Sequence, residues 1–93
     1  MFDRILKEMR NKIHRREYIM SIHADEEMND DDLSIFDVEG CILTGKILER
    51  QKDKVTAEWK YRINGQSLSG GEVEVVAKLS PTGKLVIITV YAP

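Results

Sequence analysis

A chain of 93 residues, 42% hydrophobic and 32% charged, has the size and composition of one small globular domain. Its single cysteine, Cys41, excludes an internal disulfide and a cysteine-built zinc site. A net charge of −2 argues against a dedicated polybasic nucleic-acid binder, and no apolar run is long enough to span a bilayer.

The sparse cysteine fits a reducing, cytoplasmic setting. Asp3, Arg4, Lys7, Glu8 and Arg10 interrupt the start, so no signal peptide is expected. The charge is unevenly spread. Residues 1–22 carry +3, residues 23–39 carry −8 without a lysine or arginine, and residues 40–93 carry +3.

Phe2, Ile5, Leu6, Met9 and Ile13 fall at helical spacing and predict an amphipathic first helix. Its basic end, Arg10, Lys12, Arg15 and Arg16, suits the negative end of the helix dipole. A short strand follows over Glu17 to Ile22, then a helical turn over Ala24 to Met28 and the acid run Asp30-Asp31-Asp32. Ser34 with Asp37 three residues on approximates a capping box and starts a further helix, with Ile35, Val38 and Ile42 on its inner stripe and Gly45 as its stop.

The remainder reads as antiparallel sheet. One strand holds Ile47 and Leu48 and runs to about Arg50. After a polar turn, Val55, Ala57, Trp59, Tyr61 and Ile63 alternate with polar residues and predict a half-buried strand with those five inward. Asn64-Gly65 is expected to open a loop ending at Gly70-Gly71. Val73, Val75, Ala77 and Leu79 form the inner face of the next strand, and Ser80-Pro81-Thr82-Gly83 is a turn. The last strand, Leu85 to Tyr91, is apolar on both faces except at Thr89, which predicts a central strand covered on both sides. The expected order is α-β-α-α-β-β-β-β in one α+β domain over residues 1–93, with N-terminal helices packed on a twisted, mostly antiparallel sheet of four or five strands.

Several groups invite a chemical reading. His23 sits at a strand-to-helix junction, where an imidazole can act as general acid or base or simply cap the turn. With Glu26 and Glu27 it has the spacing of a metal face, but no second histidine joins it, and a solvated acidic face is the plainer reading. Asp30, Asp31 and Asp32 lack the ligand alternation of a calcium loop. Lys46, Arg50, Lys60, Arg62 and Lys78 could line one side of the sheet and hold phosphates, or make an ordinary charged outer face. Thr89 and Tyr91 lie two residues apart and could point into the same cleft. Cys41, among Ile42 and Leu43, reads as a small buried hydrophobe rather than a nucleophile.

Ile22-His23-Ala24 with its acidic turn, Leu33 to Val38, Leu43-Thr44-Gly45-Lys46-Ile47, Val75-Val76-Ala77-Lys78 and Ile87 to Tyr91 together resemble a bacterial domain family of unknown function. That family looks like a relative of the RelE, colicin and barnase-like nuclease fold, and its members often stand beside small antitoxins, some with a zinc finger. The resemblance implies a toxin-like endoribonuclease of a toxin–antitoxin pair. It would act without metal or cofactor, by attack of a 2′-OH on the adjacent phosphodiester. It implies His23, Thr89 and Tyr91 as site residues; of the sheet cations read above, Arg62 and Lys78 are expected to join them as catalytic residues, and Lys46, Arg50 and Lys60 to hold substrate phosphate. The partners it implies are a small antitoxin protein and RNA, with no membrane. The chain departs from the family pattern where arginines usually follow the histidine, since Glu27 and Asp31 stand there and would repel phosphates. The competing expectation is a non-catalytic interaction module of the same fold, docking a basic partner through its acidic segment 25–39.

Overall fold

The computed structural model describes residues 1–93. Three helices, α1 (Asp3–His14), α2 (Ile22–Asp30) and α3 (Ile35–Thr44), pack against one face of a five-stranded sheet. The strands are β1 (Tyr18–Met20), β2 (Lys46–Lys52), β3 (Trp59–Gln66), β4 (Glu72–Leu79) and β5 (Leu85–Tyr91), in spatial order β1-β5-β4-β3-β2. Only the β1–β5 pairing is parallel. The element order and the α+β class are those the residue pattern predicts.

Apolar side chains on the helix-facing side of the sheet meet the helices in one core. Met9 and Ile13 of α1, Ala24 and Met28 of α2, and Val38, Cys41 and Ile42 of α3 close over Ile63, Val73, Val75, Ala77, Leu85, Ile87 and Val90. The predicted capping box forms: the Ser34 backbone N–H donates to Asp37 Oδ2 at 2.8 Å, and the Asp37 N–H donates to Ser34 Oγ at 3.3 Å. Arg10 of α1 satisfies two carbonyls at the other end of α3, with Nε 3.0 Å from Ile42 O and Nη2 2.7 Å from Gly45 O. The Tyr18 hydroxyl donates to Glu39 and so ties β1 to α3.

Several local expectations are corrected. Ile22 belongs to α2 rather than β1, because Ser21 turns the chain by capping α2, its Oγ accepting from the Ala24 N–H at 3.0 Å. Strand β3 begins at Trp59, not Val55. Asp53 Oδ1 takes the N–H groups of Val55 and Thr56 and holds them in a turn, which leaves Val55 93% exposed. Trp59, at the strand's open end, is 41% exposed rather than in the core. Strand β5 is an inner strand but has helices on one face only.

Asn64-Gly65 lies inside β3 instead of opening a loop. The reason is a close approach: a Cβ on Gly65 would stand 2.2 Å from the carbonyl oxygen of Cys41. The α3 backbone rests directly on β3 there. The Cys41 thiol is wedged between the sheet carbonyls of Val73 (3.2 Å) and Ile63 (3.7 Å), and burial pushes it up to about 12.

Two outcomes follow. Gly65→Ala lowers stability by about 1–3 kcal/mol, because neither backbone can yield without disturbing the core; urea unfolding measures it. The Cys41 thiol of native protein resists alkylation at mildly alkaline pH and reacts once the chain is unfolded; time-resolved labelling with a chromogenic thiol reagent reads both.

Candidate active site on the open face of the sheet

The face of the sheet away from the helices carries a polar network built by two irregularities. In β2, Ile47 pairs with Ile63 and Glu49 with Arg62, so Leu48 is an extra residue. Without that bulge Glu49 would share Ile47's inward side. In β5, Ile87 pairs with Ala77 and Thr89 with Val76, which makes Ile88 the extra residue. This second bulge brings Thr89 and Tyr91 onto the open face, while Val90 turns to the core.

Glu74 of β4 lies at the centre. It is only 8% exposed, beneath three neighbours. Its Oε1 accepts from the Tyr91 hydroxyl at 2.6 Å and from Arg62 Nη1 at 2.8 Å, and its Oε2 accepts from Asn64 Nδ2 at 3.2 Å. Arg62 Nε also reaches Glu49 Oε1 at 3.0 Å. Tyr91 first, then Arg62 and Asn64, hold the Glu74 carboxyl below the ordinary glutamate range, against the opposing effect of burial. The same contact raises Tyr91, and Glu74 with Glu49 keeps Arg62 firmly protonated. The cluster is therefore an ionised carboxylate gripped by a cation and a phenol.

The other expected site residues divide by position. Register places Lys46 and Lys60 on the open face beside the cluster, opposite Asn64 and Gln51, and neither makes an ion pair. Lys46 and Asn64 also border an open polar groove of about 530 Å³, lined further by Thr44, Gln66 and Glu72. Lys78 shares the face but is held by Glu58 at 2.8 Å. Arg50 is on the opposite side of the sheet, paired with Tyr61, with its guanidinium 4.1 Å above the Trp59 ring. That side of the sheet carries the helices, so Arg50 does not join the open-face group.

His23 lies on α2, beside the edge of β5 beyond β1. Its side chain is 68% exposed, and its Nε2 lies 3.2 Å from Glu27 Oε1. The same carboxylate oxygen accepts the Val90 N–H at 3.3 Å, between Thr89 and Tyr91. Asp31 Oδ2 similarly accepts the Ala92 N–H at 2.9 Å. Glu27 and Asp31 thus hold the free edge of β5. No three histidine, cysteine or carboxylate side chains gather in a group that could hold a metal ion.

Glu74, Glu49 and Asn64 escaped the residue-level reading. The available signal was Glu74 itself, a lone carboxylate between Val73 and Val75, with Arg62 and Tyr91 on neighbouring strands.

The carboxyl of Glu74 titrates lower in the folded chain than in the unfolded one. Its stabilisation is full above about pH 4.3, the ordinary glutamate value, and is lost as the pH falls through the folded value. Glu74→Gln is expected to cost on the order of 1–3 kcal/mol at neutral pH and to flatten the acid limb of the stability curve. Urea titrations across the acid range measure both.

Residues 20–92 match the family described as Domain of unknown function (DUF4258). No curated protein and no solved structure matches the chain. The match runs from the end of β1 through α2, α3 and the four longer strands to Ala92, and so includes His23, Arg62, Glu74 and Tyr91. On that span the chain belongs to the family of unknown function DUF4258.

Proposed function

We propose that this protein is a toxin-like endoribonuclease that works with its own side chains on the open sheet face. The observation that carries the reading is the Arg62–Glu74–Tyr91 cluster beside a polar groove and two unpaired lysines. Glu74, ionised at neutral pH, takes the proton of a ribose 2′-OH. The 2′-oxygen attacks the adjacent phosphorus, and the bond to the 5′-oxygen breaks. His23, steadied by Glu27, returns a proton to that leaving oxygen. The products are a 2′,3′-cyclic phosphate and a 5′-hydroxyl end. Arg62 neutralises charge on the non-bridging oxygens, and Lys46 and Lys60 hold flanking phosphates. Thr89 and Tyr91 line the cleft, with Tyr91 orienting the Glu74 carboxylate. In this reading the partner is a small antitoxin protein of the kind the family resemblance implies, and the setting is cytoplasmic.

A second reading has its own support. Arg62 and Lys78 are already neutralised by carboxylates, and Asp25, Glu26, Asp30 and Asp32 stand exposed without ion pairs. That charge arrangement suits a non-catalytic module whose acidic α2 region docks a basic partner.

Induced expression in bacteria separates the two. Wild type is expected to arrest growth and fragment RNA. Glu74→Gln and His23→Ala, at matched soluble levels, should each lower cleavage by about 100-fold or more. Normal growth and intact RNA with soluble wild type would move the assignment to the binding module.

A further inference from the structure

The acidic-segment reading leaves the β2–β3 hairpin unused, and the ribonuclease reading takes from it only the open-face cations Lys46, Lys60 and Arg62. Strand β2 is an edge strand of seven residues, so its outer side presents backbone N–H and C=O groups with no partner strand. Between residues 46 and 60 the hairpin has three carboxylates, and each is engaged within the chain. Glu49 holds Arg62, Asp53 holds the N–H groups of the turn, and Glu58 holds Lys78. Lys46, Arg50, Lys52, Lys54 and Lys60 make no ion pair. The hairpin therefore displays an uncompensated basic surface on a protein whose net charge is −2.

Apolar surface accompanies the charge. Leu48, the bulge residue of β2, and Trp59 are each 41% exposed, and Val55 stands in solvent. Trp59 also lines a groove of about 240 Å³ with Ile5, Tyr61 and Leu79, three apolar neighbours, and Glu58.

We propose that the free edge of β2, with the hairpin cations, docks an acidic extended segment of another protein as a sixth strand of the sheet. Backbone groups on the edge supply the hydrogen bonds, and the cations select glutamate or aspartate. A second copy of this chain pairing β2 with β2 is disfavoured, because it would set Lys46, Arg50 and Lys52 against one another. Single-stranded nucleic acid is the poorer occupant, because Arg50 already covers the Trp59 ring at 4.1 Å and a strand edge offers nothing specific to a sugar–phosphate chain. The surface shares Lys46 and Lys60 with the ribonuclease reading but not Glu74 or His23, and its test rests on Arg50 and Lys52, which that reading does not use.

Trp59 is the only tryptophan, so its fluorescence reports the site directly. The probe is a pool of ten-residue peptides alternating glutamate with valine, leucine or phenylalanine, titrated into the full chain. Saturable change in Trp59 emission is expected. It should weaken at least tenfold in the Arg50→Glu/Lys52→Glu variant and disappear with peptides N-methylated at alternate residues. On wild type alone, the peptide should slow amide hydrogen exchange in residues 46–52, a readout that stands if the variant fails to fold. Absence of saturable binding overturns the proposal. So does binding indifferent to N-methylation, or tighter binding of a single-stranded RNA of equal charge.

Discussion

Strand β5 is seven residues long, but its parallel partner β1 covers only Leu85 to Ile87. Beyond Ile87 the outer backbone groups of β5 have no strand to pair with. Ser21 and α2 solve this problem. The Ser21 N–H and hydroxyl donate to the carbonyls of Ile87 and Ile88, and Glu27 and Asp31 accept the N–H groups of Val90 and Ala92. This stitching fixes where α2 lies, and hence where His23 stands. It also gives a physical sense to the anions found where the resembling family has arginines. A guanidinium has no acceptor and could not hold those N–H groups. At these two positions the charge does structural duty.

The layered plan was legible because it rests on local rules. Valine alternation in β4, the Ser34–Asp37 box and the Ser80–Gly83 turn each formed as their residues imply. The failures are equally physical. Alternation alone carries β3 back to Val55, but one aspartate side chain, Asp53, stabilises a turn that ends the pattern early. Asn64-Gly65 has hairpin chemistry, yet Gly65 is used because the α3 backbone passes too close for any Cβ. That approach is a tertiary fact with no local signature.

The open-face cluster was half legible for a related reason. Thr89 and Tyr91 belong together by spacing, and Arg62 stood out as a cation on a strand. The face that Thr89 and Tyr91 share with Arg62 depends on the bulge at Ile88, and Glu49 joins it through the bulge at Leu48. Strict alternation would send Thr89 and Tyr91 to the core with Ile87. Glu74 was hidden because its importance lies in three neighbours on two other strands, and Arg50 was misassigned because Tyr61, its register partner, faces the helices.

The pairing of Tyr18 with Leu85 joins positions 67 residues apart. The three antiparallel pairings among β2, β3, β4 and β5 are local hairpins, whereas β1 has no partner until nearly all the intervening chain exists. Closing so large a loop carries an entropic penalty that no local contact offsets. On the ribosome, then, Tyr18 to Met20 would wait as an unpaired strand while the hairpins assemble. The β1–β5 seam is thus the pairing that topology favours to close last, and the segment bearing His23 would reach its final place with it.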